Sequence, residues 1–195
     1  GIAGLILAMV GFLGIGPIVS AISNFFGGVF KVLYENSLLP LAAIVIEPAK
    51  VLFLNNAINH GILGPIGVAQ AKETGKSILF MLETNPGPGL GILLAFWLAG
   101  PKILRGSAPG AIIIHFFGGI HEIYFPYILM KPRMILAAMA GGATGIAVNM
   151  IFSNGLTATP SPGSIFAYML VTPPGGHLTV LLAIAASAAV SFGVG

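Results

Sequence analysis

Residues 118–127, GGIHEIYFPY, set His121 beside Glu122 in a run that is otherwise apolar. The sixteen residues up to His121 carry no Asp, Glu, Lys or Arg, and neither do the eight from Ile123 to Met130. A carboxylate near the centre of a bilayer costs about 2.5 to 3.5 kcal/mol on insertion scales. Residues kept there at such a cost face a cavity and act on a substrate, an ion or a proton. The plainer alternative is an interfacial Glu122 near a helix end, paired with Lys131 or Arg133. His115 lies seven residues before Glu122 and shares its face if the segment is helical, although Gly118 and Gly119 can break that register. Tyr124 and Tyr127 can add hydroxyls to the same wall.

A second polar cluster, NNAINHG at 55–61, spaces Asn55 with Asn59, and Asn56 with His60, at i and i+4. In a helix this makes one polar flank. Amides and imidazole both donate and accept hydrogen bonds, which suits a polyhydroxylated ligand. The alternative is interhelical bonding, worth about 0.6 to 2 kcal/mol per contact. Other chemistries fail on spacing or missing partners. HEIYF lacks the second His of a zinc-protease HExxH motif. TGKS at 74–77 has Gln70 where a phosphate loop needs glycine. A Ser–His–Asp triad is excluded because all five acidic residues are Glu. His177, beside TPPGG, reads as interfacial.

The elements that must carry these groups are membrane-spanning. The chain has 195 residues, 56% hydrophobic and 7% charged, with mean hydropathy +1.01. Soluble domains are about 25% charged. Residues 1–30 and 134–195 contain no Asp, Glu, Lys or Arg, and roughly 20 apolar residues span a bilayer as a helix. The net charge of +3 comes from scattered bases without aromatic interleaving, so nucleic acid is not a partner. No cysteine is present, which removes disulfides, thiolate metal sites and phosphocysteine chemistry from this chain. No cofactor is expected. There is no initiator Met and no signal-peptide pattern, and a piece of a longer protein is expected.

Along the chain, Gly1–Phe30 is a span expected to break at GIGP, where Pro17 lacks an amide donor. Lys31–Asn36 reads as a charged link. The next apolar segment holds Glu47 and Lys50 and is expected to break at Glu47, before Pro48. Ile78–Leu82 and Leu90–Ala99 are half-length pieces separated by ETNPGPG. Ala111–Met130 carries the opening motif. Met134–Phe152 and Leu178–Gly195 are clean spans, and between them IFAYMLV is too short to cross. Half-length apolar pieces bounded by Pro and Gly point to a cavity-lining transporter site. Ala137, Gly141 and Gly145, and Ala183, Ser187, Ser191 and Gly195, recur every four residues and read as packing faces. Lys72, Lys76, Lys102 and Arg105 lean towards the cytoplasm.

NNAINHGILGPIG, NPGPGLG, GGIHEIYFPYILMKPR and SPGSIFAYMLVTP together resemble the membrane-embedded IIC domain of bacterial mannitol permeases. These belong to the phosphoenolpyruvate-dependent phosphotransferase system. The resemblance runs almost collinearly over residues 1–195 and matches the latter part of that domain, without its earlier helices or the IIB and IIA domains. It implies an all-α integral membrane protein in which broken or re-entrant hairpins form a substrate-holding transport unit. It implies a multi-pass homodimer of the bacterial inner membrane that binds a hexitol, most readily mannitol. Phosphorylated IIB, supplied through IIA and HPr, would phosphorylate the cargo, so the phosphoryl chemistry lies off this chain. Glu122 and His60 fall on family positions expected to contact substrate, with His121, Asn55, Asn56, Asn59 and Asn85 completing the candidate set. An ion- or proton-coupled polyol transporter, with Glu122 as the proton carrier, is the competing mechanism.

Overall fold

In lipid, backbone amides and carbonyls must pair within the chain. The protein meets that demand with helices, and its one extended pairing is the isolated bridge between Ser77 and Leu156. The computed structural model describes residues Gly1–Gly195. In order, its helices are α1 (Ile2–Glu35), α2 (Ala43–Val51), α3 (residues 55–74), α4 (Gly87–Ala99), α5 (Lys102–Arg105), α6 (Ala108–Phe117), α7 (Phe125–Met130), α8 (Met134–Ile151), α9 (Ile165–Leu170) and α10 (His177–Val194). Helices α1, α8 and α10 are long and apolar enough to cross a bilayer, and the chain is a membrane protein.

The expected packing faces meet. Ser187 donates its hydroxyl to the Gly141 carbonyl and Ser191 to the Ala137 carbonyl, both at 2.7 Å, joining α10 to α8. A Cβ on Gly141 would stand 2.7 Å from the Ser187 carbonyl oxygen, so only glycine allows this approach. Helix α4 packs against α10 through Gly87 and Gly91.

Helices α8 and α10 run antiparallel between two distinct ends. At one end Lys76 Nζ donates to the Ser153 carbonyl at 2.7 Å, just past α8, and Thr179 at the start of α10 donates to Asn154 Oδ1 at 2.7 Å. Lys31, Glu35, Lys72 and Glu73 belong to this polar end. At the other, Arg105 Nε donates to the Gly100 carbonyl at 2.7 Å and Lys131 Nζ to the Gly195 carbonyl at 3.3 Å. This basic end, with Lys102 and Arg133 following the same turns, carries no carboxylate. Lys72 and Lys76 therefore lie opposite Lys102 and Arg105, and the four cannot share one side of a membrane.

Between the ends the chain makes three hairpins and one broken crossing. Residues 39–74 and 155–172 enter from the polar end and return to it, the second closed by Thr157 N donating to the Val171 carbonyl at 2.9 Å. Helices α6 and α7 form a hairpin from the basic end, pinned at its base by Ser107 Oγ and Tyr127 OH at 2.8 Å. Residues 77–99 cross from the polar to the basic end with a non-helical break at 83–86. Apolar clusters around Phe80 and Leu63 and around Phe96 and Phe125 pack on either side of that break.

Two expected breaks are absent. Helix α1 runs unbroken over 34 residues through Pro17, with a π turn at Gly11–Ile15 just ahead of Gly16-Pro17. The wider turn accommodates the missing amide. A second π turn, Asn59–Leu63, precedes Gly64-Pro65 in α3 in the same way. The proposed link at 31–36 is the last turn of α1, where Asn36 donates to the Val32 carbonyl at 2.8 Å. Helix α2 also continues through Pro48. The buried Glu47–Lys50 pair, three residues apart, straddles the proline and ties that turn together.

Candidate functional site

The mid-span break is built by residues that cannot or need not continue a helix. Pro86 and Pro88 have no amide to donate. Asn85 Oδ1 accepts from Gly87 N at 2.9 Å and so caps the start of α4, while its amide reaches Ser187 Oγ at 3.5 Å. Thr84 turns its hydroxyl back to the Phe80 carbonyl. The break thereby presents the buried Glu83 carboxylate and the carbonyl of Pro86 to the hairpin tips.

The α6–α7 tip is the GGIHE stretch. Gly119 adopts φ +76, a region that side-chain-bearing residues rarely enter, and this ends the helical register between His115 and Glu122. His115 Nε2 donates to the Pro86 carbonyl at 3.0 Å, and His121 Nδ1 donates to Glu83 Oε1 at 3.2 Å. The two imidazoles lie 5.1 Å apart between ring centroids, and Tyr124 packs edge-on to both. From the 39–74 hairpin, Asn55 Nδ2 donates to Glu122 Oε1 at 2.8 Å. From the third tip, Ser161 Oγ donates to the Gly119 carbonyl at 3.2 Å, Ser164 Oγ to the Phe117 carbonyl at 3.3 Å, and Gly163 N to the Thr84 carbonyl at 3.0 Å. All three tips and the break converge at mid-span.

Several buried polar atoms here have no protein partner: Glu83 Oε2, His121 Nε2, His115 Nδ1, Tyr124 OH, Glu47 Oε2, and both amide atoms of Asn59. Unpaired groups of this kind cost about 1–3 kcal/mol each, and native interiors contain few of them. Carboxylate, imidazole, phenol and amide together offer donors and acceptors on several sides. That set suits a ligand whose every group both donates and accepts.

Comparison with known proteins gives one consistent family. The chain is 61% identical over 192 residues to the PTS system mannitol-specific EIICB component of Geobacillus stearothermophilus, covering 98% of this chain and 41% of that protein. It is 58% identical to the Bacillus subtilis EIICB component over 192 residues, 98% of this chain and 40% of that protein. Against the Escherichia coli mannitol-specific EIICBA component it is 53% identical over 192 residues, 98% of this chain and 30% of that protein. The chain is part of the IIC region of the mannitol permease family. It spans about two fifths or less of the length of these relatives. No family model and no solved structure matches it.

Within this family frame the candidate residues divide. His121, Glu122 and Asn55 come together at mid-span, with Glu122 half-buried and the others buried, while Asn59 is buried one turn along α3 with no hydrogen-bond partner. Asn85 is at the break, but its side chain is spent on capping α4 and holding Ser187. Asn56 and His60 are exposed, so the asparagine cluster has one buried and one exposed flank. His60 makes no hydrogen bond yet lies within electrostatic reach of Glu83. Tyr127 pairs with Ser107 at the hairpin base and is not part of the wall, whereas Tyr124 is. Glu122 has Asn55 as its partner and does not pair with Lys131 or Arg133, which lie at the basic end. Sequence reasoning missed Glu83, although a carboxylate inside ETNPGPG, at a Pro- and Gly-forced break, was the available signal.

Proposed function

We propose that residues 1–195 form one IIC-type unit that holds a hexitol, mannitol by analogy with the named relatives. A partner IIB domain phosphorylates that cargo as it is presented. The observation that carries this reading is the meeting of three hairpin tips and a helix break around Glu122, Glu83, His121 and Asn55. Each hexitol hydroxyl both donates and accepts. A carboxylate can accept from two hydroxyls at once, and charge-assisted bonds are roughly twice as strong as neutral ones. Imidazole nitrogens, the Tyr124 hydroxyl and the Asn59 amide can pair the remaining hydroxyls. A site built to pair a hydroxyl rejects ligands that lack it.

The phosphoryl group would arrive on another domain, in keeping with relatives named as EIICB and EIICBA components. The unit would work as a multi-pass homodimer in the bacterial inner membrane. The basic end, with Lys102, Arg105, Lys131 and Arg133, would face the cytoplasm by the positive-inside bias and so present cargo to IIB. Inner-membrane vesicles containing the intact permease test this coupling. Uptake of labelled mannitol should require phosphorylated IIB, should yield the phosphate ester, and should be indifferent to an uncoupler. Uptake of free mannitol that an uncoupler abolishes would instead support proton coupling.

A further inference from the structure

We propose that Lys50 is a positioning residue, whose ammonium, neutralised by Glu47, fixes the broken crossing and thereby aims Glu83 at the cargo. This rests on the hexitol-holding reading above. Lys50 and Glu47 have 0% and 1% of their side chains exposed, and Lys50 Nζ stands 2.8 Å from Glu47 Oε1. The same nitrogen donates to the backbone carbonyl of Glu83 at 3.1 Å. That bond crosses from α2, in a hairpin entering from the polar end, to the non-helical residues of another element. Residues 83–86 have no helical ladder to hold them, so a charge-assisted bond to the first carbonyl of the break restrains what the backbone leaves loose.

Two further features fit a built device. Helix α8 makes room for the Glu47 carboxylate with Gly142, where a Cβ would stand 2.8 Å from Glu47 Oε1. Lys50 is also the one fully buried Lys or Arg side chain, and the two fully buried carboxylates of the chain, Glu47 and Glu83, belong to the residues it contacts. His115 and His121 lie within its electrostatic reach as well. A pair needed only to hold α2 against α8 would have no reason to reach the carbonyl of Glu83. A buried pair is weak grounds for stability in itself, because an apolar replacement of similar size is often neutral.

The test uses intact permease in detergent, with titration of mannitol and of its C2 epimer glucitol, and thermal unfolding as the fold control. Wild-type protein that binds neither hexitol overturns the hexitol reading itself, separately from this inference. Lys50→Met with Glu47→Gln removes both charges at near-constant volume. Glu47→Lys with Lys50→Glu keeps an ion pair but moves the ammonium away from the Glu83 carbonyl. Each double variant is expected to unfold near the wild-type temperature and to lose mannitol affinity by roughly ten- to hundredfold, the equivalent of one charge-assisted hydrogen bond. The ratio of mannitol to glucitol affinity should change too, because only hydroxyls facing Glu83 are affected. Wild-type affinity in either folded variant, or an equal loss for both epimers, overturns the proposal. Failure of both variants to assemble assigns the pair to folding and overturns it as well.

Discussion

Replacing Gly163 with alanine should damage the site while leaving the spans intact. Gly163 sits at the tip of the 155–172 hairpin with φ +87, and its amide donates to the Thr84 carbonyl at 3.0 Å. A side-chain-bearing residue held in a sparsely populated backbone region costs about 1–3 kcal/mol. The added Cβ would also stand 2.6 Å from His121 Cδ2 and 2.8 Å from His115 Cε1, far inside ordinary contact. Both are ring atoms of fully buried imidazoles tied to Glu83 and Pro86, so they cannot swing aside freely. Overpacking of this kind adds about 1–3 kcal/mol. Relief comes from withdrawing the tip, which loosens the Gly163–Thr84 bond and the His121–Glu83 contact together. If about 1.4–2.8 kcal/mol of the strain is relieved at the cargo's expense, mannitol affinity falls by roughly ten- to hundredfold. The assay is equilibrium binding of labelled mannitol to membranes containing the intact permease, with immunodetection to normalise the amount. Wild-type affinity in Gly163→Ala at wild-type abundance would refute the convergence of this tip on the two histidines.

Other perturbations separate packing from binding. Gly141→Leu should drive α8 from α10 and lower thermal stability in detergent by about 1–3 kcal/mol, because its Cβ meets the Ser187 carbonyl oxygen at 2.7 Å. Asn55→Ala removes the donor to Glu122 and should weaken hexitol binding by roughly tenfold, in line with loss of a bond to a charged group; titration of the purified protein reads it. Asn55→Asp should weaken binding further, since it sets a like charge against Glu122. His121→Phe keeps the ring but leaves Glu83 without its donor, and binding should fall while Tyr127→Phe, at the hairpin base, leaves affinity within about twofold of wild type.

Much of the architecture was legible because spans depend on local composition. The charge-free tracts gave α8 and α10 to within a residue or two, and the four-residue spacing of small side chains marked the surfaces that now interlock. Half-length apolar pieces flanked by Pro and Gly pointed to discontinuous helices, of which the broken crossing at 83–86 is one, whereas the hairpins were implied only by the family resemblance. The errors came where tertiary structure overrode a local rule. Pro17 and Pro48 do not end their helices, since a π turn accommodates one and a buried ion pair straddles the other. The side of a membrane on which each basic loop lies was illegible, because half-length pieces can either reverse or cross; residues 77–99 cross, so Lys76 and Lys102 sit at opposite ends. Within the site, Glu122 and Asn55 stood out as polar groups in apolar text. Glu83 did not, because its importance arises from a contact with His121 thirty-eight residues away.

The claim at the centre is that Glu122, at a re-entrant tip in mid-span, grips the hydroxyls of the cargo. Mannitol titrated into purified intact permease, wild type against Glu122→Gln, measures it most directly. Saturable binding to the wild type and a loss of roughly tenfold or more in a Gln variant that unfolds at the wild-type temperature is the expected result. Equal affinity in the two proteins would contradict it.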